Sequence, residues 1–232
     1  MASPTPLPAL AARQELPGWY ATATALPDNP IVFLQLGLRQ YKVGNYEEAL
    51  RLFDAAEVHD PKGMYAFFIH FNRAPTLNLL GRNEEGLKEA SKAIDLALSQ
   101  KMDTKQAASA YNNRGLLYSS EGNFILALSD FTEGLKLSPD SEDLLDSRGD
   151  LYRRMGDAKS ALDQLNKAIP ANEQSDSAYY NRGLVYEELG QNDLAARDFE
   201  KEITTTNVRA YQERAASELT RLRSKQVTPR AG

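Results

Sequence analysis

The stretch YNNRGLLYSSEGNF, residues 111–124, returns twice in nearly the same order of residue types, as LDSRGDLYRRMGDA at 145–158 and YYNRGLVYEELGQN at 179–192. Gly115, Gly149 and Gly183 follow one another at intervals of 34 residues, each preceded by an arginine and followed three residues on by Tyr118, Tyr152 or Tyr186. A second glycine series, Gly122, Gly156 and Gly190, lies seven residues further along. A small residue and then a large one come next: Ala127 with Phe131, Ala161 with Leu165, and Ala195 with Phe199. Self-similarity at a period of about 20–50 residues marks a supersecondary unit that cannot bury its apolar face alone and so stacks on copies of itself.

The two glycine series have different physical causes. Glycine inside a helix costs about 1 kcal/mol relative to alanine, so its return at one register implies a neighbouring helix too close for a side chain. Gly115, Gly149 and Gly183 are therefore expected at helix–helix contacts. The series seven residues later falls where the first helix should stop, and a residue free to take positive φ is the common C-terminal terminator. Each unit then reads as helix A, a glycine break and helix B.

This pattern resembles the tetratricopeptide repeat, carried in residues 108–141 by Tyr111, Gly115, Tyr118, Gly122, Ala127, Phe131 and Pro139. A clear copy precedes it, with Phe33, Leu36, Gly37, Gly44, Tyr46, Ala49, Phe53, Ala56 and Pro61, and a degenerate one has Ala74 and Gly81 in the two glycine slots. The resemblance implies an all-α fold, a right-handed α-solenoid of antiparallel helix pairs. It comprises five repeats at 30–63, 67–100, 108–141, 142–175 and 176–207. Residues 1–29 form an N-terminal segment whose PGWYATATALPDNP looks like a partial capping helix with Trp19 and Pro27. Residues 208–232 form a C-terminal capping helix and basic tail, with Tyr211, Arg214 and Ala215 in the Tyr, Arg and Gly slots. Two irregularities fall in the second repeat. Pro75 lies within helix A and should kink it, and the interval from Ala74 to Gly115 is 41, seven more than 34, which implies a lengthened helix B.

Arg73, Arg114, Arg148 and Arg182 stand just before the packing position, where an apolar residue is expected and where a buried cation needs a partner. Sixteen residues on, in the facing helix B, stand Glu89, Asp130, Gln164 and Asp198, whereas the first repeat has Leu36 and Leu52 at the same two positions. Polar goes with polar and apolar with apolar. The expectation is an intra-repeat pair in each case, with Arg148 making the weaker bond to Gln164.

In the resembled family the ligand lies in the concave groove lined by the A helices. Carried over position by position, the groove of this chain contains Leu34, Leu38, Phe68, Phe71, Asn72, Asn112, Asn113, Asp143, Asp146, Asp150, Tyr180 and Asn181, and it grades from apolar through amide to acidic. That gradient implies a protein or peptide partner with hydrophobic and basic residues. Asn72, Asn113 and Asn181 share one position, from which a carboxamide can both donate to and accept from a peptide backbone. The family's chaperone-tail carboxylate clamp is not reproduced: its lysine slots hold Leu34 and Ser109, an asparagine slot holds Leu38 and the arginine slot holds Asn113.

Of 232 residues, 42% are hydrophobic and 25% charged, and Lys+Arg 27 against Asp+Glu 32 gives a formal net charge of -5. An acidic chain argues against a nucleic acid as partner, and no run approaches the roughly 20 apolar residues of a membrane-spanning helix. The absence of cysteine excludes disulfides and thiolate chemistry. His59 and His70 lack companions at metal-ligand spacing, and no nucleophile-elbow, zinc-protease or phosphate-loop motif is present. The expectation is a non-enzymatic scaffold or adaptor that takes no cofactor and no metal. Its start lacks the charge-then-apolar pattern of a secretory signal, which places it in the cytoplasm by default. The alternative is a homo-oligomer in which Arg209, Arg214, Arg221, Arg223 and Lys225 dock into the acidic fourth repeat of another copy; the same cations would otherwise answer the helix dipole.

Overall fold

In the computed structural model, residues 29–171, 177–206 and 208–227 are described, and they contain eleven helices and no strand. They fall into two compact units that divide after Tyr65. The expected N-terminal capping helix, with Trp19 and Pro27, lies outside the described residues.

The first unit is one helix hairpin, α1 (Pro30–Lys42) and α2 (Tyr46–Val58). Proline at the first helical position and the Asn29 side chain accepting the Ile31 N–H at 3.0 Å start α1. Phe33, Leu34, Ala49, Leu52, Phe53 and Ala56 form its core. Phe33 also stacks on His59 with ring centroids 4.8 Å apart, which gives that histidine a structural role.

The second unit runs α3 (Ala66–Leu79), α4 (Asn83–Ser99), α5 (Thr104–Ser120), α6 (Phe124–Leu137), α7 (Glu142–Arg154), α8 (Ala158–Ala171), α9 (Ala178–Glu188), α10 (Asn192–Thr205) and α11 (Arg209–Val227). The odd-numbered helices are A helices and the even ones B helices. Within this unit each A helix from α3 to α9 packs on the B helix that follows it, each B on the next A, and α3, α5, α7 and α9 pack in succession on one another. The alternation of small and large residues is the mechanism of this stacking. At Gly115 an added Cβ would lie 2.5 Å from Phe131, and at Gly183 it would lie 2.7 Å from Phe199. Gly122 and Gly156 end α5 and α7 with φ of +79° and +80°.

The seven extra residues between the second and third repeats do not all enter helix B. Both α4 and α5 have 17 residues, against 13 or 14 for the other B helices and 11 to 14 for the A helices from α1 to α9. The lengthening is therefore shared across the turn, where Lys101 takes a positive φ of 51°. α3 continues past Pro75 to Leu79. Proline supplies no N–H to the carbonyl four residues back, that of Phe71, and the Asn113 side chain of α5 donates to it instead at 3.3 Å.

Candidate functional site

The arginine slots are built as the spacing predicts. Arg114 donates from Nε and Nη2 to both oxygens of Asp130 at 2.8 Å. Arg182 does the same to Asp198 at 2.7 and 2.8 Å. Arg148 meets the Gln164 carbonyl oxygen at 3.2 and 2.6 Å. A second partner was not read from the sequence. Arg114 also reaches Ser91 on the preceding helix B at 3.1 Å, and Arg182 reaches Asn166 at 2.8 Å. These two offsets are 23 and 16 residues, and their difference of seven is the insertion, so both partners occupy the same repeat position. The arginines thus join neighbouring repeats as well as the two helices of one.

In the second repeat the carboxylate is shared. Glu89 Oε2 lies 2.7 Å from His70 Nδ1 and 3.6 Å from Arg73 Nη1, while its Oε1 accepts from Lys92 at 2.7 Å. Burial alone would raise this carboxyl, but the hydrogen bonds from His70 and Lys92 outweigh it and hold it at about 2. His70 thus joins α3 to α4 through the Glu89 carboxylate.

On the A-helix face, most polar residues expected to face a ligand are engaged within the chain. Asn72 donates to the Phe68 carbonyl of its own helix at 2.7 Å, and Asn113 is the donor that replaces the missing N–H of Pro75. Asn181 donates to Asp146 Oδ1 at 2.8 Å, and the Ser177 hydroxyl donates to its Oδ2. Asp146 is buried between α7 and α9 and does not line an open surface. Burial raises its carboxyl to about 6 against the two hydrogen bonds that pull it down, with the charges of Asp150 and Glu142 adding to the rise. Asp150 is bound by Arg153 at 2.7 Å, and Arg153 bridges on to Glu188 at 2.7 Å. Asp143 is exposed. Asn112 is half-buried, and its Oδ1 has no hydrogen-bond partner among the described residues. Tyr180 lies under the Arg214 guanidinium, 3.7 Å from its ring centroid.

The apolar positions divide. In the first unit Leu34 is a core residue, 7% exposed, whereas Leu38 on α1 is 36% exposed. In the second unit Phe68 is 40% exposed and Phe71 half-buried. With Phe67 at the base they form one wall of an open cleft of ≈ 200 Å³ whose other wall, from α5, carries Lys105, Gln106 and Ser109. Phe67 stacks on Phe71 and meets Phe68 edge-on, at centroid distances of 5.5 and 5.1 Å. Phe67 continues into a core of Ala93, Ile94, Ala97, Ala107 and Ala110, so the aromatic wall is anchored from behind.

Residues 108–141 match the family described as tetratricopeptide repeat, and residues 149–190 match a second description, TPR repeat. These two stretches of the chain are thus tetratricopeptide repeats. The chain is 34% identical over 94 residues to the Tetratricopeptide repeat protein 36 homolog of Drosophila pseudoobscura pseudoobscura, covering 40% of this chain and 48% of that one. Against the Hsp70-Hsp90 organizing protein of Triticum aestivum it is 28% identical over 110 residues, covering 47% of this chain and 17% of that one. The matched region thus spans about half or less of the length of these curated relatives. Among solved structures, a thermophilic TPR protein of Thermus thermophilus superposes with a TM-score of 0.67 at 21% identity, over 82% of this chain and 99% of that one. The APC/C hetero-tetramer Cut9-Hcn1 gives 0.72 at 18% identity, over 88% of this chain and 38% of its own. At these identities the likeness is one of fold.

The last described helix, α11, packs on α10. Ala215 is buried in the glycine slot of α11, but the following tyrosine slot holds the half-buried Glu218, which hydrogen-bonds Arg221. The basic residues of α11 are largely answered at home: Arg209 by Glu213, Arg221 by Glu187 and Glu218, and Arg223 by Glu200. Arg214 is held by stacking on Tyr180 and Tyr211 and by Glu202 at 3.8 Å. Lys225 lies outside the described side chains. No helix among the described residues is long and apolar enough to cross a membrane.

Proposed function

We propose that the chain is a non-enzymatic scaffold that holds a segment of a partner protein on the A-helix face of its second unit, at the cleft between α3 and α5. TPR proteins generally mediate protein–protein interactions, which supports the class of activity. The single observation that carries the location is Phe68, an aromatic side chain 40% exposed on that face beside the open cleft, where folding alone would favour burial. Asn113 and Asn181 contribute indirectly: their hydrogen bonds tie α5 to α3 and α9 to α7, so a partner meets A helices already braced against one another. The basic character expected of the partner loses support, because Asp146 is buried and Asp150 is already ion-paired. The negative net charge supports a protein partner over a nucleic acid.

The test is affinity capture from native extract with the wild type beside Phe68→Glu, matched for helicity by circular dichroism, followed by titration of the purified captured protein against both. A partner retained by the wild type, lost by the variant and binding the purified wild type directly is the expected result. Equal retention by both proteins would move the working surface away from this face.

A further inference from the structure

The two walls of the α3/α5 cleft differ in chemistry, and the difference points to what it takes. The wall from α3 is wholly aromatic, with Phe68 and Phe71 offering apolar area above Phe67. The wall from α5 is polar: the side chains of Lys105, Gln106 and Ser109 stand on it, and none of the three makes a side-chain hydrogen bond or ion pair among the described residues. Among the described residues, Lys105 is the only charged one lining the cleft. The nearest acidic neighbour along the chain, Asp103, accepts the backbone N–H of Lys105 at 2.7 Å as the N-cap of α5, where it also meets the positive end of the helix.

Resting on the scaffold reading above, we infer that the cleft binds a peptide segment carrying a bulky apolar side chain next to an acidic one. The apolar group fills the space against Phe68 and Phe71, the carboxylate meets the Lys105 ammonium, and Gln106 and Ser109 hydrogen-bond the peptide backbone. A segment with a basic residue at that point sets like charges together across the polar wall. One ammonium serves one carboxylate, so an internal Glu or Asp satisfies the site and no free chain terminus is required.

The experiment uses the full chain and two short, end-blocked, fluorescein-labelled peptides that differ only in charge, one with a Leu-Phe-Glu-Glu centre and one with Leu-Phe-Lys-Lys. Fluorescence anisotropy at low salt is read for the wild type, Lys105→Glu and Phe68→Glu. The acidic peptide should bind the wild type about two- to fivefold more tightly than the basic one. That preference should shrink with added salt, Lys105→Glu should reverse it, and Phe68→Glu should abolish binding of both peptides. No saturable binding of the acidic peptide, equal affinities for the two peptides, or a preference that survives Lys105→Glu overturns the inference. If the basic peptide binds better and Phe68→Glu abolishes it, the acidic preference falls while the cleft stands as a working surface. A molar mass that rises with concentration in the wild type but not in Phe68→Glu assigns the cleft to a second copy, which also overturns it.

Discussion

Replacing Asp146 by asparagine should stabilise this protein at neutral pH. Asp146 is only 8% exposed, and its carboxyl is raised from 3.8 to about 6, chiefly by burial. A folded-state value above the unfolded one means that the folded protein binds the proton more tightly. The stability associated with it is fully present below about pH 4 and is lost as pH rises through about 6. At about pH 7.5 the ionised group carries a penalty of about 3 kcal/mol, from 1.36 kcal/mol for each factor of ten in proton affinity. Asp146→Asn removes the charge and keeps the shape. Its amide oxygen still accepts from one of Ser177 and Asn181, and the Ser177 hydroxyl or the Asn181 amide rotates to receive the new N–H. Some charge-assisted hydrogen bonding is lost, so the expected net gain is about 1–3 kcal/mol at about pH 7.5, falling to near zero at about pH 4. Urea denaturation of both proteins followed by circular dichroism at the two pH values measures it, and the other carboxylates cancel in the difference. A variant less stable than the wild type at neutral pH, or a difference independent of pH, would refute the argument that burial, and not the two hydrogen bonds, dominates this site.

The remaining predictions concern packing, ion pairs and acid stability. Gly115→Ala should destabilise by about 1–2 kcal/mol in urea melts, because the new Cβ must displace the fully buried Phe131 ring from 2.5 Å, and this outweighs the better helix propensity. Gly122→Ala meets nothing within 4 Å, so its cost should be about 1 kcal/mol and purely one of positive φ; asparagine at the same site should recover part of it. Asp130→Ala should cost about 2–4 kcal/mol by leaving the half-buried Arg114 without its carboxylate, whereas the double change Arg114→Leu with Asp130→Leu should return most of it. The first repeat already carries Leu36 and Leu52 in these slots. Glu89, held at about 2, lends stability that is present above its ordinary range and lost as pH falls from about 4.5 toward 2. Glu89→Gln should flatten that acid limb of the stability profile.

The repeat register, the packing and capping glycines and the arginine pairs were legible because each depends on residues close in sequence within one helix hairpin. An offset of 16 is set by the length of two helices and a turn, so Arg114 must face Asp130 wherever the hairpin itself is placed. The exchange of Arg and Asp for two leucines in the first repeat carried the same information a second time. His70 was harder to read, because Glu89 already had an expected partner in Arg73 and a spacing argument does not show that one carboxylate serves both.

The sequence alone determined that this protein is an array of helix pairs, where the glycine breaks fall and how the arginine slots pair inside a repeat, since these follow from helix periodicity and local chain length. Only the tertiary structure decided which side chains on the A-helix face remain available to a partner. Asn113 and Asn181 occupy the same repeat position, yet one completes the backbone left open by Pro75 and the other serves a buried carboxylate, across offsets of 42 and 35 residues. Leu34 and Leu38 lie one turn apart, yet the first is buried and the second exposed. The orientation of neighbouring helices selects between contact and exposure over rotations smaller than the spacing of side chains around a helix, and the composition of one helix does not encode that angle.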